Sequence, residues 1–71
     1  MNLYDIEFDT RSLPNIRDRR YKSDVAAIVG AFRAIDNQPY ACPVATVYRM
    51  SETGRTPICR VTFRGEVQPI D

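Results

Sequence analysis

Histidine is absent from this 71-residue chain. With it goes the side chain that titrates unaided near neutral pH and serves as a ready general base. A cysteine nucleophile would lack its usual partner, and a zinc site would lack its imidazole. Glycine is scarce: Gly30, Gly54 and Gly65 stand far apart, so neither glycine-rich phosphate loop is present. The two cysteines, Cys42 and Cys59, are seventeen positions apart, which is not metal-ligand spacing. They read as small buried apolar residues, and a disulfide between them is disfavoured in a reducing cytosol. No apolar run approaches the roughly 18 residues of a membrane span. Met1 to Asp9 carries acids and no basic leader, so it does not read as a signal peptide. These absences predict a cytoplasmic protein that is not an enzyme, with no catalytic residue, cofactor or metal.

What remains is one domain, with a hydrophobic share of 44% that is too high for a disordered chain. Domains of this size bury only about 60% of their unfolded surface, so one helix-on-sheet core is expected to carry the stability. Formal net charge is +1, which gives no global drive toward nucleic acid or membrane. The charge is unevenly placed. Arg11, Arg17, Arg19, Arg20 and Lys22 stand against Asp18 alone, a local net of +4, so the rest sums to −3. Such a segment has three explanations: an anionic partner, an acidic neighbour within the fold, or a solvated loop.

Leu3 to Asp9 alternates, with Tyr4, Ile6 and Phe8 on one face and Asp5, Glu7 and Asp9 on the other, which predicts a half-buried strand. Residues 10–22 show no period and are punctuated by Leu13-Pro14-Asn15, which predicts a long connecting loop, its basic part at 11–22. A helix is expected over 23–36, with Ser23 as N-cap and Asp24 in the first turn. Val25, Ile28, Val29, Phe32 and Ile35 form its apolar stripe, and Ala27, Gly30, Ala31 and Ala34 form a smooth flank. Strands over 44–50 and 56–67 flank a turn at Ser51 to Arg55, giving a hairpin, with Gly65 a bulge or break.

The acidic stripe of the first strand and the basic stripe of the last, Arg60 and Arg64, suggest that these two strands pair. The expected fold is therefore α+β: one helix on a three-stranded antiparallel sheet, path β-α-β-β, strand order 1-3-2. The crossover would make the first two strands parallel, and the second strand, 44–50, would be a free edge.

Two surfaces suit recognition. In the first, Arg11, Arg17, Arg19, Arg20 and Lys22 surround Tyr21, a set that suits phosphate with stacking or an acidic protein groove. The second is the open sheet face with Arg60, Arg64, Asp5, Glu7 and Asp9. The three acids in alternation also have the types to hold a divalent cation, although pairing with arginines is the simpler account.

In size and architecture the chain resembles small phage-encoded inhibitor proteins of the anti-CRISPR type, single domains with one helix on a short antiparallel sheet. The resemblance covers overall format, with no shared motif. It implies a soluble protein that occupies a surface of a larger host protein or nucleoprotein complex and blocks it. Two other classes stay open: a nucleic-acid-binding module using the 11–22 segment, and a structural or accessory protein, including a homodimer through an edge strand.

Overall fold

The computed structural model describes residues 2–9, 14–36 and 43–70. Arg11 and Cys42 lie outside them. The described residues form β1 (Asn2–Phe8), β2 (Ile16–Tyr21), α1 (Asp24–Asp36), β3 (Val44–Ser51), β4 (Gly54–Thr62) and β5 (Val67–Pro69). The class is α+β with one helix, but the sheet has five strands in the order β2-β1-β3-β4-β5. The expected three strands in order 1-3-2 are therefore incorrect.

Three particulars produce the difference. First, the segment read as a basic loop contains β2, which pairs antiparallel with β1: Asn2 opposes Tyr21, Leu3 opposes Arg20, Tyr4 opposes Arg19 and Ile6 opposes Ile16. A register shift falls between Tyr4 and Ile6, and there Asp18 takes a positive φ of 51°. This bulge interrupts the alternation that would have marked the strand. Second, β1 pairs with β3, from Tyr4 opposite Arg49 to Phe8 opposite Ala45, and the pairing is antiparallel. The helix thus connects β2 to β3, with β1 between them. Segment 44–50 is central, not an edge. Third, the long last strand is two strands. A turn with Gly65 at φ 83° sends β5 back antiparallel along β4. Because β3 separates β1 from β4, Arg60 and Arg64 do not oppose Asp5, Glu7 and Asp9.

The β3–β4 hairpin is tighter than expected. Ser51 opposes Gly54 across Glu52 and Thr53, Gly54 sits at φ 130°, and the Ser51 hydroxyl donates to the Gly54 carbonyl at 2.9 Å.

The helix begins as its capping residues dictate. The Ser23 hydroxyl accepts the Ala26 amide at 3.2 Å. Its buried residues are Ala27, Ala31 and Ile35, spaced to share one face. Val25 is 68% and Val29 41% exposed, while Ile28 and Phe32 are half-buried against the core. The expected stripe is therefore rotated. Small side chains let the helix backbone lie close to the sheet, and bulk comes from the sheet side through Tyr4, Ile6, Val47 and Val61, all fully buried.

Two contacts seat the helix. Asp24, in its first turn, accepts from the Tyr4 hydroxyl and from Arg49 of β3, so one carboxylate joins helix, β1 and β3. Arg49 and then Tyr4 hold the Asp24 carboxyl below its ordinary pKa. Farther along, Tyr21 packs edge-on to Tyr4, with ring centroids 5.8 Å apart, and its hydroxyl lies 2.7 Å from where a Cβ on Gly30 would be. That close approach is why glycine occupies the middle of a helix at a propensity cost of about 1 kcal/mol.

Candidate functional site

The sheet face away from the helix carries Asp5, Glu7, Tyr48 and Arg55, which the pairing and alternation place together. Arg17 joins them from β2. Its guanidinium donates to Asp5 at 3.2 Å and lies 3.0 Å from Glu7. Arg55 reaches from β4 across β3 to the same two acids, 3.4 Å from Asp5 and 3.1 Å from Glu7. On the way it covers the Tyr48 ring at 4.2 Å, within cation–π range. Asp5 is only 4% exposed, and its second oxygen accepts the Asp18 amide at 2.9 Å. The bulge thus turns a backbone donor inward to a buried carboxylate.

Electrostatics follow the contacts. Burial alone would raise the Asp5 carboxyl, but the Asp18 amide, Arg17 and Arg55 outweigh it and hold the group below the ordinary range. Arg55 above all, with Tyr48 and Arg17, lowers Glu7 against a smaller opposing effect of burial. Asp5, Glu7, Arg17 and Arg55 sum to zero charge, and each acid meets both cations. This satisfied structural cluster is not arranged for cation binding. Among the described residues, no group of three or more Cys, Asp or Glu is placed to hold a metal. Cys59 is a buried free thiol, 3% exposed, and burial pushes its pKa up.

The basic segment therefore separates into parts. Arg17 is neutralised within the fold, and Tyr21 belongs to the core. Arg19, Arg20 and Lys22 are exposed and form no ion pair among the described residues. By register, Arg19 shares the face of Tyr4 and Arg20 that of Leu3, so the free edge presents one cation on each side of the sheet.

Of the other candidates, Asp9 closes the β1 end: its carboxylate accepts the Val44 amide at 2.9 Å. Arg64 is exposed and leans over Phe63, 5.6 Å from the ring centre. Arg60 is exposed and lines a hollow of about 570 Å³ with Glu7, Asp9 and neighbours. Sequence reasoning missed Arg55 and Tyr48. The turn expected at Ser51 to Arg55 is two residues too long on its far side, since β4 already begins at Gly54 and includes Arg55.

No protein-family model matches the chain, no curated protein matches it in sequence, and no solved structure matches its fold. Residue roles here rest on geometry alone. No described helix is long and apolar enough to cross a membrane.

Proposed function

We propose that this chain is a non-enzymatic binding protein that docks on an anionic surface of a larger host protein or nucleoprotein complex and blocks it, using the outer side of β2. The observation that carries the reading is the division of the basic segment: Arg17 is held by Asp5 and Glu7, whereas Arg19, Arg20 and Lys22 project from an edge strand without an acidic partner among the described residues. Arginine on both faces suits a partner that grips the edge, because its planar donors make paired bonds with carboxylate or phosphate. A closed thiol such as Cys59 fits recognition better than turnover.

Docking would run through side chains, not through strand addition. On β2 the bulge at Asp18 commits an amide to Asp5, and arginines flank it; β5 has three residues and ends at Pro69. Bulges, cations, shortness and proline all discourage further strand pairing. A homodimer through an edge is for the same reason the weaker alternative. As a reader of nucleic acid the open face is poorly equipped: it carries Asp5, Glu7 and Asp9, and Arg55 covers Tyr48. Phosphate contact at β2 itself stays chemically suited.

Capture from a host lysate, with and without nuclease, tests the reading. The wild-type chain is expected to retain a partner that an Arg19→Glu, Arg20→Glu, Lys22→Glu variant of equal melting temperature loses. Retention by both forms would refute it, and loss of the partner on nuclease treatment would move the reading to nucleic acid.

A further inference from the structure

On the sheet face away from the helix, pairing sets Glu7 of β1, Thr46 of β3, Arg60 of β4 and Gln68 of β5 in one transverse row. The next row holds Asp9, Val44 and Thr62: Asp9 exchanges backbone and side-chain hydrogen bonds with Val44, and Val44 opposes Thr62. Thr46, Val44 and Thr62 are thus short, and the longer Glu7, Asp9, Arg60 and Gln68 stand around them. The result is the hollow of about 570 Å³, within the range of small-ligand sites.

Its two banks differ in chemistry. On one side stand donors: the Arg60 guanidinium, the Gln68 amide and two threonine hydroxyls. Arg60 has no acidic partner among the described residues. The Thr62 oxygen accepts the Glu66 amide at 3.3 Å, which leaves its proton to donate. On the other side Glu7 is taken by Arg17 and Arg55, but Asp9 is exposed and only one of its carboxylate oxygens has a partner among the described residues. Arg60 and Asp9 form no ion pair with each other; two strand spacings, about 9–10 Å at backbone level, lie between their strands.

We propose that this hollow binds a short zwitterionic peptide, with its carboxylate at Arg60, Thr46, Thr62 and Gln68 and its ammonium at Asp9. Opposite charges on the two banks suit a zwitterion, and the backbone-level spacing matches three extended residues, which span about 10 Å. The site is independent of the β2 edge.

The probe is trialanine, followed by amide chemical-shift changes in the full chain. Saturable shifts at Thr46, Arg60 and Thr62 are expected, with about tenfold weaker binding when the peptide is amino-acetylated or carboxy-amidated. Arg60→Gln is expected to weaken binding about tenfold at unchanged melting temperature. Gln68→Glu, on the exposed edge, should weaken it too and guards against an Arg60 variant that fails to fold. No saturable shift, equal binding of blocked peptides, or indifference to both substitutions would overturn the proposal.

Discussion

Arg17 donates to Asp5 at 3.2 Å, across the bulge that separates Ile16 from Arg19 in β2. This one bond joins the most basic segment of the chain to a carboxylate that is almost fully buried. It assigns Arg17 to the fold and leaves its neighbours to the surface. Removing one partner of a buried charged hydrogen bond costs more than the bond contributes, because the other partner stays desolvated.

Asp5→Ala is therefore expected to be less damaging than its burial suggests: Arg17 and Arg55 are exposed and stay beside Glu7, and the main loss is the acceptor of the Asp18 amide. Asp5→Leu should be better tolerated than Arg17→Leu. Urea denaturation of the two variants checks the order, with Arg17→Leu lower by about 1 kcal/mol. Equal stabilities would mean that Asp5 does not depend on Arg17.

Acid should unfold the protein through the same groups. Asp5, Glu7 and Asp24 all have lowered pKa values in the fold. A lowered folded-state value means that the unfolded chain binds protons first, so the contribution is complete above the unfolded values of about 4 and is lost as pH falls through the folded ones. Urea midpoints are expected to be flat from neutrality to about pH 5 and to drop steeply below about pH 4. Asp5→Asn should flatten that drop, and a profile unchanged by the substitution would remove Asp5 from the account.

Gly30→Ala sets helix propensity against packing. Alanine gains about 1 kcal/mol in a helix interior, but its methyl would meet the Tyr21 hydroxyl at 2.7 Å and two ring carbons at 2.9 and 3.0 Å. The ring is wedged against Tyr4, so relief requires moving β2 or the helix. A net loss of about 1–3 kcal/mol is expected by thermal or urea unfolding. Pairing the change with Tyr21→Ala should restore the propensity gain, and a stabilised single variant would contradict the packing.

Helix orientation has its own signature. Ala31→Leu enlarges a fully buried position and is expected to cost about 1–3 kcal/mol or more. Val29→Glu, at a position 41% exposed, should fall within about 0.5 kcal/mol of wild type. The hydrophobic stripe read from sequence requires the reverse order, so circular dichroism melts of the two variants decide between them.

These cases show where the sequence was legible. Capping at Ser23, alternation in β1 and the Gly54 turn are local signals, and each was readable. The class, one helix with an antiparallel sheet, followed from them. Strand β2 was hidden because Asp18 breaks its period and because Arg17-Asp18-Arg19-Arg20 offers no apolar alternation. The helix face was misread because α1 is apolar nearly all round, and hydrophobicity alone does not separate a small buried face from a larger exposed one. Matching acidic and basic stripes proposed a pairing between the first and last strands. That match named the right acids, Asp5 and Glu7, but the wrong partners: Arg17 and Arg55 reach them from strands on either side, while Arg60 stands apart at the hollow.

The division of the basic segment is most directly tested by comparing urea midpoints of Arg17→Gln with those of the Arg19→Gln, Arg20→Gln double variant at neutral pH and low salt. The single change is expected to lower stability by about 1–2 kcal/mol, and the double change to leave the midpoint where it was. A silent Arg17→Gln, or a double variant that loses as much, would contradict the division of the segment into Arg17, held in the fold, and Arg19 and Arg20, exposed on the edge.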